Sequence, residues 1–220
     1  INDVKISVVG NRFNIPINEP ILGLWNEGLE INNYPQGDYI EVPLTRPVFC
    51  TIEENEFKDA GGDCAIFLHD HEYALHPQDN IAMRVSIKNN QINMSDEATA
   101  GIAMLEVQNS ESLNNKFSGT GYYGMYAYAY WEGIITKNGL ILGNDFSHAT
   151  FSEAAIYLDY TTKNWKVIGN ANATVIDLGV DNFIKNANFN HRHDHSGKDK
   201  QIMEDHINFN QGKFREHHHN

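Results

Sequence analysis

The chain is predicted to be mainly β, with an irregular β-rich N-terminal domain over residues 1–115 and an antiparallel β-barrel over 116–220. Three observations predict this. Helical periodicity is nearly missing, short β-branched and aromatic runs bounded by turn residues recur along the chain, and residues 117–133 alternate strictly. In that last stretch, "FSGTGYYGMYAYAYWEG", Tyr122, Gly124, Tyr126, Tyr128 and Tyr130 share one strand face, and Gly121, Tyr123, Met125, Ala127, Ala129 and Trp131 the other. Small and large residues sharing strand faces suit the tight interior of a small barrel.

In chain order, "YIEVPL", "CAIFLH", "IAMRVSIK" and "AMLEVQ" read as short strands, and "KNNQ" (88–91) as a hairpin turn. Only "DEATAGIAMLEV" (96–107) has the alanine content of a helix, and its β-branched residues and glycine weaken that assignment. All six prolines, Pro16 to Pro77, fall in the first half, where they confine strands to sheet edges and predict long loops. "NSESLNNK" (109–116) reads as a polar linker, which sets the domain boundary. Beyond it, 149–178 reads as strand, turn at "TTKN", strand and strand, and "FIKNANFN" (183–190) and "HINFNQGKF" (206–214) complete a run at hairpin spacing.

The formal charge of −13 argues against nucleic acid and against anionic lipid, and it keeps copies of the chain apart, which predicts a monomer. No run of about 18 apolar residues occurs, so no membrane-spanning helix is predicted. Cys50 and Cys64 flank a polar, glycine-containing stretch. A disulfide between them, contributing on the order of 3 kcal/mol, implies an oxidising compartment; the alternative is two unrelated buried thiols. The opening "INDVKISVVG" carries no basic n-region or apolar h-region, as expected of a secreted chain whose signal peptide has been removed.

The second half resembles the C-terminal barrels of the transferrin-binding surface lipoproteins of Gram-negative bacteria. The resemblance rests on the glycine- and tyrosine-rich strand "GTGYYGMYAYAYWEG", on "ATFSEAAIYLDYTTKNWKVIGNA", and on "ANFN" with a late "GKF". The same barrel occurs in the hemophilin family of secreted haem-binding proteins, which this chain resembles more closely because it has no N-terminal lipid-anchor cysteine. The resemblance implies an eight-stranded barrel acting in recognition or export, a clamp-like N-terminal domain holding haem b, secretion from a Gram-negative bacterium, and an outer-membrane haem receptor or export machinery as partner.

An axial ligand to haem iron is usually histidine presented from an apolar wall, with methionine as a second donor. "FLHDHEYALHPQ" (67–78) offers His76, then His71 and His69, among Phe67, Tyr73 and Leu75; read from the residues alone, these histidines are equally surface groups beside acids. Met83, Met94 and Met104 are candidates for the opposite side of the ring, Trp25 and its apolar neighbours for clamp material, and Arg46 and Arg84 for the propionates. Burying on the order of 400 Å² of porphyrin contributes roughly 10 kcal/mol before ordering costs, enough to outweigh long-range repulsion of the propionates.

His191, His193 and His195 alternate at a spacing that a zinc or copper site can use, but their glycine- and charge-rich surroundings read as an exposed hairpin tip, which favours adventitious metal over a built site. No nucleophile elbow, Walker loop or H-E-x-x-H occurs, so no enzyme is predicted. Glu53, Glu54 and Glu56 read as a solvated acidic loop. The alternatives to a haem carrier are a cofactor-free protein-binding surface module and, less favoured, a secreted glycan-active or metal-dependent enzyme.

Overall fold

In the computed structural model, residues 4–14, 29–32, 48–61, 64–70, 83–95, 98–129, 133–185 and 188–189 are described. Their strands come in successive rungs. The first rung holds β1 (Val4–Val9), β2 (Arg12–Asn14) and β3 (Leu29–Asn32); the second β4 (Val48–Glu53), β5 (Glu56–Ala60) and β6 (Cys64–His69); the third β7 (Arg84–Lys88), β8 (Gln91–Met94) and β9 (Ala100–Leu105). Next come β10 (Glu111–Leu113) and β11 (Lys116–Tyr128), then β12 (Thr136–Lys137), β13 (Leu140–Leu142) and β14 (Asp145–Leu158). β15 (Thr162–Lys163), β16 (Lys166–Ile168) and β17 (Thr174–Asp177) follow, and β18 (Phe183–Lys185) and β19 (Asn188–Phe189) come last.

Each strand pairs with its counterpart one rung away, and every pairing among the described strands is parallel. The first sheet runs β1-β4-β7-β10-β13-β16-β18 and the second β2-β5-β8-β11-β14-β17-β19, with β3, β6 and β9 joining it at β11; β12 and β15 form a third, short wall. The second sheet therefore has a proximal arm (β2, β5, β8 and the front of β11) and a distal arm (β3, β6, β9 and the back of β11). This is a parallel β-solenoid.

The mainly β class agrees with the sequence expectation; the antiparallel eight-stranded barrel does not. The physical reason lies at the corners. A two-residue hairpin of type I′ needs positive φ at both central residues. In "KNNQ" only Asn89 has it (φ 55), so the chain turns sideways into the next sheet instead of doubling back. Gly10, Glu54, Asn114, Gly143 and Gly169 hold the same left-handed conformation at the same corner of other rungs. The supposed linker 109–116 is such a corner together with β10, and Lys116 opens β11, which pairs with β8 behind it and β14 ahead of it. Both sheets thus run through the expected domain boundary. The helix considered over 96–107 is strand β9.

After each left-handed residue stands an asparagine, and these stack: Asn11, Asn55, Asn90, Asn115, Asn144 and Asn170. The backbone N–H of each donates to Oδ1 of the next at 2.9 Å along the whole column. Each side-chain amide from Asn55 onward donates back to a carbonyl of the preceding rung: Val8, Ile52, Ile87, Ser112 and Ile141, at 2.9 to 3.1 Å. From Asn55 to Asn170 these side chains are buried. Unmet backbone groups inside a corner cost about 1–3 kcal/mol each, and this column meets them.

Inside, residues stack in rows. The first sheet contributes Val8, Ile52, Ile87, Ser112, Ile141, Val167 and Ile184; the distal arm contributes Ile66, Ile102 and Met125, continued by Ile156 on β14 and Val175 on β17. Phe13 stacks on Phe57 at 4.7 Å and Phe117 on Phe146 at 4.5 Å. The small residues of "GTGYYGMYAYAY" serve these rings. A Cβ on Gly124 would lie 2.7 Å from Phe146, and one on Gly101 2.8 Å from Phe117. Small and large residues do share an interior, as the alternation implied, but the interior belongs to a solenoid.

Candidate functional site

The distal arm carries a second apolar cluster on its outer side, separate from the core. Register explains it. Ile66, Ile102, Met125 and Ile156 point inward, so the next position on each strand, Phe67, Ala103, Tyr126 and Tyr157, points outward in one row across consecutive rungs. Ala103 and Ala100 leave room for rings on either side. Tyr126 stacks on Tyr128 at 4.2 Å and 11°, meets Tyr157 edge-on at 5.3 Å, and lies 5.1 Å from Tyr123, which is itself 5.1 Å from Tyr157. Tyr126, Tyr128 and Tyr157 are half-buried, and Tyr160 in the following turn is 55% exposed.

The electrostatics here are those of a desolvated, acidic surface. Burial, helped by the nearby carboxylates of Glu153 and Asp159, pushes the Tyr123 hydroxyl up to about 12. Burial also raises Asp159 to about 6, although its carboxylate accepts hydrogen bonds from Thr161 N–H and Oγ1 at 2.8 Å. At the strand ends, His69 Nε2 meets Glu106 Oε2 at 3.1 Å, both side chains buried, and the Asp70 carboxylate accepts the Met83 N–H.

The proximal arm presents a different outer surface, a groove of about 590 Å³ whose lining mixes Lys58, Gln91, Asn93, Lys116 and His148 with Phe57 and Phe117. At its edge Glu56 is held below the usual carboxylate range by hydrogen bonds from Arg12 and Lys58. Two of the expected acidic-loop residues therefore have structural duties: Glu54 is a left-handed corner and Glu56 an ion-pair partner.

The other expected site residues are dispersed. Phe67 joins the tyrosine cluster, with its ring 6.2 Å from the His69 ring. Met83, Met94 and Met104 are buried in the interior, Met94 and Met104 on the inward rows of β8 and β9 and Met83 just before β7. Arg84 is exposed on the first sheet with its guanidinium 5.7 Å from the Phe49 ring centre. Cys50 and Cys64 form no disulfide. They sit on different sheets, Cys50 in the core and Cys64 in the outer tyrosine cluster, and burial pushes the Cys50 thiol up to about 11. His71, Tyr73, Leu75, His76, Trp25, Arg46, His191, His193 and His195 lie outside the described residues. Among the described residues no group of three or more histidine, cysteine or acidic side chains is placed to hold a metal ion, and no helix is long and apolar enough to cross a membrane.

No protein-family model, curated protein or solved structure matches the chain.

Sequence reasoning found the tyrosines but missed what aligns them. The signal was present: "TKNGLILGN" (136–144) and "TKNWKVIGN" (162–170) are one repeat, two consecutive rungs written in line.

Proposed function

We propose that the chain binds an extended polysaccharide across its rungs, at the tyrosine row of the distal arm, without turning it over. The observation that carries this is the outward row of Phe67, Ala103, Tyr126 with Tyr128, and Tyr157 on consecutive rungs, aromatic at every rung but that of Ala103. Rungs of a parallel sheet repeat about every 4.8 Å, so a linear polymer lying along the axis meets two aromatic faces in succession at Tyr126 and Tyr157 and a third, Phe67, beyond the gap at Ala103. Aromatic rings with polar tips are suited to the apolar faces and hydroxyls of sugar rings, and contiguous half-exposed aromatics mark interaction surfaces. Catalysis draws little support. Asp159, a carboxyl with raised proton affinity among the described residues, is 4% exposed and accepts the hydrogen bonds of its own turn.

The test is affinity electrophoresis against a panel of soluble polysaccharides. Tyr157→Ala is expected to weaken retention about tenfold, the worth of one well-placed aromatic contact. Unchanged retention in Tyr157→Ala and in Tyr128→Ala, or release of reducing ends by the wild-type protein, would refute the proposal.

Haem capture is a second reading. It draws on His69, beside Phe67 on the same arm, whose ring Glu106 holds by a contact of the kind that orients a ligating imidazole. A Soret band on haem titration that is lost in His69→Ala would favour it over polymer binding.

A further inference from the structure

Among the described residues the ion pairs are Arg12 and Lys58 with Glu56, Lys88 with Glu111, and His69 with Glu106. Lys137, Lys163, Lys166 and Lys185 belong to none of them. The fold sets Lys137, Lys163 and Lys166 at adjoining positions of two walls, while Lys185 stands opposite Ile168. Lys137 and Lys163 are register partners in the short third wall, outward of the buried Thr136 and Thr162. Three residues beyond Lys163, past the corner, Lys166 stands on the outer face of β16, and Lys185 lies one rung further on β18.

Like charges directly opposed in a sheet repel, and nothing in the packing of this wall requires lysine at both positions. Between the lysines runs a column of exposed amides: Asn138 Nδ2 donates to Asn109 Oδ1 at 3.2 Å, and Asn164 Nδ2 to Asn138 Oδ1 at 3.4 Å. Asp181 continues the column, and the nearby Glu111 is already held by Lys88. In a chain of net charge −13, this strip sets Lys137, Lys163 and Lys166 against the carboxylate of Asp181, a local excess of positive charge.

We infer that the lysine strip of Lys137, Lys163 and Lys166 is a binding site for an acidic polysaccharide, a polymer whose carboxylates repeat along its length. It lies on other walls than the tyrosine row and does not depend on that row. Charge complementarity selects an anion. The one-column width, running along the solenoid axis, selects a chain over a broad surface such as a bilayer. The flanking amides supply donors and acceptors for hydroxyls. A duplex nucleic acid, with a charge about every 1.7 Å, meets stronger repulsion from the rest of this acidic molecule than a sparsely charged glycan does.

The test compares binding of labelled polygalacturonate, dextran, duplex DNA and phosphatidylglycerol vesicles at about 0.05 M and about 0.5 M salt, where exposed charges are weakly and strongly screened. Polygalacturonate is expected to bind at low salt and to weaken as salt rises. The triple variant Lys137→Gln, Lys163→Gln, Lys166→Gln is expected to lose about tenfold, the combined worth of three exposed ion pairs, and to flatten the salt dependence. The matching triple arginine variant is expected to keep wild-type binding, which separates charge from folding. Polygalacturonate binding that survives the glutamine variant but falls in Tyr157→Ala would overturn this inference and leave the tyrosine proposal standing. Absence of polygalacturonate binding at low salt, or tighter lysine-dependent binding of DNA or vesicles, would also overturn it.

Discussion

Two asparagine columns run along this solenoid, one rung to the next, and they differ in burial and in backbone: the buried asparagines follow a left-handed residue, and the exposed ones are themselves left-handed. The column from Asn55 to Asn170 is buried at its corner, with Nδ2 to Oδ1 distances of 2.9 to 3.0 Å at every step. The column of Asn109, Asn138 and Asn164 is exposed, and its amide contacts lengthen to 3.2 and 3.4 Å. The same side chain in the same repeat thus serves opposite ends. Where water is excluded, each amide replaces solvent for backbone groups that have no other partner. Where water is present, the amides touch loosely and remain available to something else. Burial, more than residue type, decides whether a ladder holds the fold.

The largest effect should come from breaking the buried column. Asn115 accepts from the Asn90 backbone and side-chain amides, and its own amide donates to Ile87, Ser112 and Asn144. Asn115→Ala is expected to cost about 3 kcal/mol, seen as a fall of roughly 6–12 °C in Tm by calorimetry. A loss comparable to a surface substitution would mean that the column follows the fold without supporting it.

Next in size is a buried polar group whose partners do not fully compensate for its burial. Asp159 has its proton affinity raised in the folded state, so the folded protein binds this proton more tightly than the unfolded chain does. Stability from this group is therefore greatest at low pH and declines as pH rises from about 4 through about 6. Asp159→Asn keeps an oxygen for Thr161 and removes the charge. It is expected to be more stable than wild type by about 2 kcal/mol at pH 7, with the difference vanishing near pH 4, in parallel denaturant titrations.

The smallest effect belongs to the exposed column. Asn138→Gly retains the left-handed backbone (φ 61) and deletes the amide, and should change stability by less than about 0.5 kcal/mol. A loss approaching that of Asn115→Ala would erase the distinction between the two columns.

How much of this was legible in the sequence follows from which interactions are local. The β class was, because runs such as "CAIFLH" and "IAMRVSIK" need only strand propensity to be recognised. The pairing was not. Asn89-Asn90 and Asn114-Asn115 have the chemistry of hairpin turns, and only the sign of φ at the second residue separates a corner from a reversal. Spacings between ladder asparagines of 35, 25, 29 and 26 residues hid the period. The tyrosines were visible as a cluster, but their neighbours on other rungs, Phe67 and Tyr157, come together only through register. The lysine strip was legible solely in the repeated "TKN", whose two copies pair directly.

Because each rung touches only the rungs before and after it, the molecule's length is not set by closure, as it is in a barrel. Duplicating one turn of the repeat, such as residues 138–163, would slide a further copy of the lysine and asparagine positions into the stack and lengthen the axis by about 4.8 Å. Such a fold can vary the extent of its binding surface by copying sequence, with no change to the residues that do the binding.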